Sequence, residues 1–136
     1  MSKVMIAEDD LVMADMLADI LVHSGYEVCG IARTVDGAVD LYKRHKPDLA
    51  ILDLRLSHES VGTEIAARLH PRGNLGILYT TGNVGQMDSL TKADGDACMR
   101  KPYRAEDVVQ ALEIVERFVS TGEVTGPFPQ GFQILK

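Results

Sequence analysis

Only two cysteines, Cys29 and Cys98, occur in 136 residues, far apart and without a Cys-x-x-Cys spacing. That excludes a disulfide framework and a thiolate metal cluster. It predicts two reduced, half-buried thiols in a cytoplasmic protein. No run of about 18 apolar residues exists, so no segment is expected to span a membrane. The N-terminal stretch Met1-Ser-Lys-Val-Met-Ile-Ala-Glu8 reaches acidic residues too soon for a secretory signal. Basic residues are outnumbered: 14 Lys and Arg stand against 20 Asp and Glu, for a net charge of −6. This excludes a general nucleic-acid binder, which needs a basic face, and favours cationic partners or metal ions. The four histidines, His23, His45, His58 and His70, share no ligand spacing and read as surface residues. Internal repeats and low-complexity segments are also missing.

What is present is a regular alternation. Short apolar runs at 4–7, 26–32, 48–53, 75–80 and 96–100 read as strands. Between them lie helical patterns. The first covers 11–24, with Met13, Leu17, Ile20, Leu21 and Ser24 at helical spacing and Gly25 as the stop; Met13 and Met16 read as core filler. The second is capped by Thr34, turns Ala38, Leu41 and Tyr42 inward, and ends near His45, before Pro47. The third covers 64–69 and is stopped by Pro71 and Gly73, after a loop from Arg55 to Gly62. Within 82–95 the glycines Gly82 and Gly85 and a thin apolar stripe predict only a short or mobile helix. The last covers 106–119, with Val108, Val109, Leu112, Val115 and Val119 on its buried side. Five alternations in one domain predict a doubly wound α/β fold: a parallel five-stranded sheet, helices on both faces, right-handed crossovers. A domain over 1–120 is therefore expected. The tail 121–136 holds three Gly and two Pro, so it should not be helical. Its Phe128, Phe132, Ile134 and Leu135 make it stickier than a linker, and packing on its own domain or disorder is favoured over a partner motif.

In such a sheet the carboxyl ends of the strands share one edge, where ligands bind. That edge would carry Glu8, Asp9 and Asp10, then Asp53, then Thr80 or Thr81, then Lys101. Carboxylates at close range repel and raise one another's pKa, a conflict that a divalent cation removes. Oxygen-only donors without His or Cys favour Mg²⁺. A carboxylate can act as a nucleophile and form an aspartyl phosphate, whose charge needs a metal, a cation and hydrogen-bond donors.

Four motifs then stand in register: Met5-Ile-Ala-Glu-Asp-Asp10, Pro47-Asp-Leu-Ala-Ile-Leu-Asp53, Thr81-Gly82 and Lys101-Pro102. With them the chain resembles the receiver domain of bacterial two-component response regulators over residues 3–120. The resemblance implies a flavodoxin-like strand order 2-1-3-4-5. It implies Asp53 as phosphoacceptor and Glu8, Asp9, Asp53 and the Arg55 backbone carbonyl as Mg²⁺ ligands, with Asp10 auxiliary. It implies Thr81 as the hydroxyl and Lys101 as the cation that read the phosphoryl group, and a cis bond before Pro102. The implied partners are a sensor histidine kinase or phosphotransfer protein as donor and a downstream protein target, with no nucleic acid or membrane; a homodimer is left open. The region 121–136 is too short for an output domain, so a stand-alone signalling receiver, not an enzyme, is expected.

Two departures qualify the resemblance. The position three before the lysine, where many receivers carry a mobile aromatic, is Cys98. The stretch 77–83 is faintly similar to a stand-alone receiver subgroup with a Phe-Ala-Thr-Gly-x-Tyr motif, which Asn83 and Val84 fit poorly. Two other readings stay in view: a pseudo-receiver that never takes phosphate, and an aspartate-nucleophile phosphohydrolase of the haloacid dehalogenase type. The second needs an Asp two residues after the nucleophile, where this chain has Arg55.

Overall fold

The computed structural model describes residues 2–56, 61–69 and 73–136. Strands β1 (Lys3–Ala7), β2 (Glu27–Ala32), β3 (Leu49–Asp53), β4 (Gly76–Thr81) and β5 (Ala97–Arg100) alternate with helices α1 (Leu11–His23), α2 (Val35–His45), α3 (Gly62–Arg68), α4 (Val84–Ser89) and α5 (Ala105–Thr121). A final strand, β6 (Phe132–Ile134), follows α5. The sheet order is β2-β1-β3-β4-β5-β6. The first five strands are parallel, and β6 runs antiparallel to β5. The order 2-1-3-4-5 is thus present, but the expected five-stranded sheet is corrected to six.

The period of two along each strand builds two cores. Met5 and Ala7, Ala50 and Leu52, Ile77 and Tyr79, and Cys98 point to one face, where side chains of α2, α3 and α4 cover them. Val4 and Ile6, Leu49 and Ile51, Leu78, and Ala97 and Met99 point to the other, beneath α1 and α5. Because both faces are covered, the strands read as continuous apolar runs.

The helices begin where the side chains permit. Asp10 caps α1 by accepting from Val12 N and Met13 N, and Thr34 caps α2 by accepting from Gly37 N at 3.0 Å. Gly25 takes φ 95° just beyond α1, a value that favours glycine. On α1 the buried face is Ala14, Leu17 and Leu21. Met16 is 57% exposed, so it is not core filler, and Met13 is only half-buried. The stripe is centred one residue away from the methionines. Cys29 is half-buried as expected, whereas Cys98 is wholly buried because it sits mid-sheet opposite Tyr79. His23 is exposed and His45 half-buried; His58, His70 and Pro71 lie outside the described residues. Helix α3 starts two residues earlier than its apolar pattern suggests.

Beyond Thr121 the tail is non-helical and packs against the sheet. Phe132 and Ile134 are half-buried beneath the α1/α5 core, and Leu135 is 3% exposed. Register pairs Ala97 with Ile134 and Met99 with Phe132. Backbone bonds extend the pairing at both ends, from Arg100 N to Gly131 O and from Leu135 N to Asp96 O. Phe-x-Ile alternation is strand-like, and an open β5 edge would leave a row of unpaired backbone groups. Among the described residues no helix is long and apolar enough to cross a membrane.

Candidate functional site

Each strand of the parallel sheet ends on the same edge, and that edge opens into a cleft of about 530 Å³. Its lining is Glu8, Asp9, Asp10, Asp53, Arg55, Thr81, Gly82, Asn83, Gln86 and Lys101. Glu8 leaves β1 with its N–H bonded to Ala32 O. Asp53 is the last residue of β3, paired in register with Thr80. Lys101 follows β5, its N–H donating to Thr81 O at 2.7 Å and its bond to Pro102 cis.

The side chains converge. Lys101 Nζ donates to Asp53 Oδ2 at 2.7 Å and to Glu8 Oε1 at 3.1 Å. The Arg55 N–H donates to Asp53 Oδ1 at 2.9 Å, and the Asp10 N–H donates to Glu8 Oε2 at 3.2 Å. Oxygens of Glu8, Asp9 and Asp53 all lie within 4.8 Å of one another. Asp53 is 5% exposed and Glu8 2%, whereas Asp9 is half-buried. Asp10 stands outside this group as the cap of α1, and through its amide it orients Glu8.

The electrostatics follow from burial. Desolvation first, then a hydrogen bond and repulsion from Asp53, push the Glu8 carboxyl up to about 7, against smaller opposing contributions from the Asp10 amide and Lys101. Burial pulls the Lys101 ammonium down, but Asp53 and Glu8 together outweigh it and hold the pKa above its ordinary value. One cation therefore serves two buried carboxylates, with a third beside them.

Thr81 lines the cleft and Thr80 does not, although both are buried. The Thr81 hydroxyl donates to Gln86 Oε1 at 3.0 Å and accepts from Asn83 N at 3.0 Å. The Arg55 side chain is exposed at the rim, and Arg55 forms an antiparallel bridge with Val61. Cys98 points away from the cleft's polar groups into the α2/α3/α4 core. Tyr79 fills space beside it and donates to Asp94 O at 2.6 Å.

Two residues escape sequence reading. Tyr103 buries a hydroxyl that has no hydrogen-bond partner among the described residues. Burial, then the charges of Glu8, Asp53 and Asp10, raise its pKa. Its only sequence signal is its place two residues after Lys101. Gln86 is the other; Asn83-x-x-Gln86 is a capping-box spacing that could have marked it.

A family model for the response regulator receiver domain matches residues 4–113. The chain belongs to the response regulator receiver domain family. This receiver is 32% identical over 120 residues to the transcriptional regulatory protein PdtaR of Mycobacterium tuberculosis, covering 85% of this chain and 58% of that protein. It is 29% identical over 117 residues to the chemotaxis protein CheY of Thermotoga maritima, covering 85% of this chain and 98% of that one. Among solved structures it is similar to the signal receiver domain of a modulated diguanylate cyclase from Desulfovibrio desulfuricans G20, with a TM-score of 0.77 at 27% identity over 90% of this chain and 99% of that chain. The chain thus spans about three-fifths of PdtaR and nearly all of CheY. Receiver domains are signalling modules of two-component systems rather than enzymes in the ordinary sense. They normally hold Mg²⁺ in an acidic pocket, and this receiver has an acidic cluster of Glu8, Asp9 and Asp53.

Proposed function

We propose that this receiver is switched by transfer of a phosphoryl group to Asp53. The observation that carries the reading is the contact of one ammonium, Lys101, with two buried carboxylates, Asp53 and Glu8, while an Asp9 oxygen lies within 4.8 Å of both. A structural ion pair needs one acid for one base. Three acids around one base suit a site that is completed by a second cation.

The donor set fits Mg²⁺. It is all oxygen and includes two buried groups, and Glu8, whose carboxyl is raised first by burial and then by Asp53, is a group whose charged form a bound cation would favour. Glu8, Asp9, Asp53 and the Arg55 backbone carbonyl would hold the ion. Bound there, Mg²⁺ would offset the carboxylate repulsion and neutralise charge on the phosphoryl oxygens. The chain's own residues do the rest. An Asp53 oxygen forms the new bond to phosphorus as the bond from phosphorus to the donor breaks. Lys101 moves from the Asp53 carboxylate to a phosphoryl oxygen, and the Thr81 hydroxyl turns to another. The donor is a sensor histidine kinase or phosphotransfer protein. The modified form shifts an equilibrium between two surfaces, and a downstream protein reads the change.

Cys98 favours a second reading, a pseudo-receiver that keeps the fold as a contact module and takes no phosphoryl group, since its small buried thiol cannot act as the mobile aromatic. Intact-protein mass after incubation with acetyl phosphate separates the two. The first reading expects a single Mg²⁺-dependent adduct that the Asp53→Asn variant lacks. Absence of both adduct and Mg²⁺ binding would leave the pseudo-receiver.

A further inference from the structure

Thr81 is engaged in an unusual way. Asn83 caps α4 through its Oδ1, which accepts from Gln86 N at 3.1 Å. In a complete capping box the side chain at Gln86 would reach back and accept from the Asn83 backbone N–H. Here that exchange is interrupted. The Thr81 hydroxyl stands between the two groups, accepting from Asn83 N at 3.0 Å and donating to Gln86 Oε1 at 3.0 Å. Asn83 N–H and Gln86 Oε1 are complementary partners held apart by one hydroxyl.

We propose that Gln86 is a positioning residue of the switch, restraining the Thr81 hydroxyl in the unmodified protein and taking over the Asn83 amide when Thr81 turns to a phosphoryl group. The inference rests on Asp53 being the phosphoacceptor. Departure of Thr81 orphans one donor and one acceptor, and those two then pair with each other. Only the long contact from the Thr81 hydroxyl to Asn83 O, at 3.5 Å, is given up, while the two short bonds are replaced one for one, so the two arrangements stay close in energy, as a switch requires. The exchange also explains how this receiver couples Thr81 to α4 without an aromatic at Cys98. Gln86 lies on α4, a six-residue helix that buries only Met87. A helix so lightly anchored follows a change at its first turn.

Amide hydrogen exchange at Asn83 tests this in the full chain, with Mg²⁺ and excess acetyl phosphate and without either, in parallel with intact mass. In the wild type the Asn83 amide is bonded in both states and stays protected. In Gln86→Met it keeps Thr81 as acceptor in the unmodified protein but has none in the modified protein. Its exchange there should be roughly three- to tenfold faster than in modified wild type, the worth of one net hydrogen bond. Gln86→Glu retains an acceptor at the same reach and should restore protection in the modified protein, which a merely structural role for Gln86 does not predict. Adducts on all three proteins with equal Asn83 exchange would overturn the role of Gln86 and leave the Asp53 reading standing. Equal loss of protection in Gln86→Met and Gln86→Glu would overturn it too. No adduct on the wild type would defeat the Asp53 reading, and this inference with it.

Discussion

The strand-end cleft and the C-terminal tail lie on the same sheet but handle polar groups in opposite ways. In the cleft, three carboxylates crowd around one ammonium, and burial pushes Glu8 up to about 7. The tail brings no buried charge. Strand β6 pairs backbone groups along the β5 edge and buries Leu135. Side-chain bonds from Gln110 to Pro127 O and from Arg117 to Thr125 tie the intervening segment to α5. Burying charge in the cleft costs stability, whereas the tail packs apolar side chains and pairs backbone groups along the sheet edge. Buried Glu8 and Asp53 thus depart from the ordinary rule that acids stay in water, whereas the tail's side chains follow it.

The largest effect belongs to Asp9→Ala, which removes a metal-ligand candidate and one source of repulsion. Mg²⁺ affinity should fall by roughly a hundredfold, while melting in a chelator should show no loss of stability; calorimetric titration and thermal melts check both. In the tail, Leu135→Ala should behave in the opposite way. It should cost about 2 kcal/mol by chemical denaturation and leave Mg²⁺ affinity unchanged. Equal stability of that variant and the wild type would mean that the tail does not support the sheet.

The pH dependence of Glu8 is a subtler test. Its pKa in the folded chain is raised from the usual 4.5 to about 7, so the folded state holds a proton that the unfolded state releases. Stability from this group is present below about 4.5 and is lost as pH rises towards 7. Metal-free wild type should therefore lose stability relative to Glu8→Gln across that window, and saturating Mg²⁺ should abolish the trend. Melting curves of both proteins at several pH values would show it. The smallest effect is that of Phe128→Ala. Phe128 is exposed and touches Phe132 edge to face at 5.1 Å, so its loss should cost about 0.5 kcal/mol.

Much of the cleft is legible in the amino-acid order, because its chemistry demands particular residue types at strand ends. The run Leu49-Ala-Ile-Leu-Asp53 announces both a doubly covered strand and the carboxylate at its tip. The pattern Lys101-Pro102 marks the end of β5 as clearly. The tail is less legible. Phe132-Gln-Ile134 is too short to establish a period of two, and Gly131 and Pro129 nearby resemble linker residues. Pairing with β5 is a tertiary choice that local sequence does not encode. The methionines of α1 misled for a related reason: a stripe shifted by one residue has nearly the same composition, and packing against the sheet and α5 selects Ala14, Leu17 and Leu21. Gln86 stayed hidden because glutamine on a short helix is usually a solvated surface residue.

Phosphoryl transfer to Asp53 is what separates a switched receiver from a contact module. The most direct measurement is to reduce the acetyl phosphate-treated protein with borohydride, which converts an aspartyl phosphate to homoserine, and to sequence the peptide carrying residues 49–56 by tandem mass spectrometry. Homoserine is expected at position 53, formed only when Mg²⁺ was present. Homoserine at Asp9, Asp10 or another aspartate, with Asp53 unchanged, would contradict it.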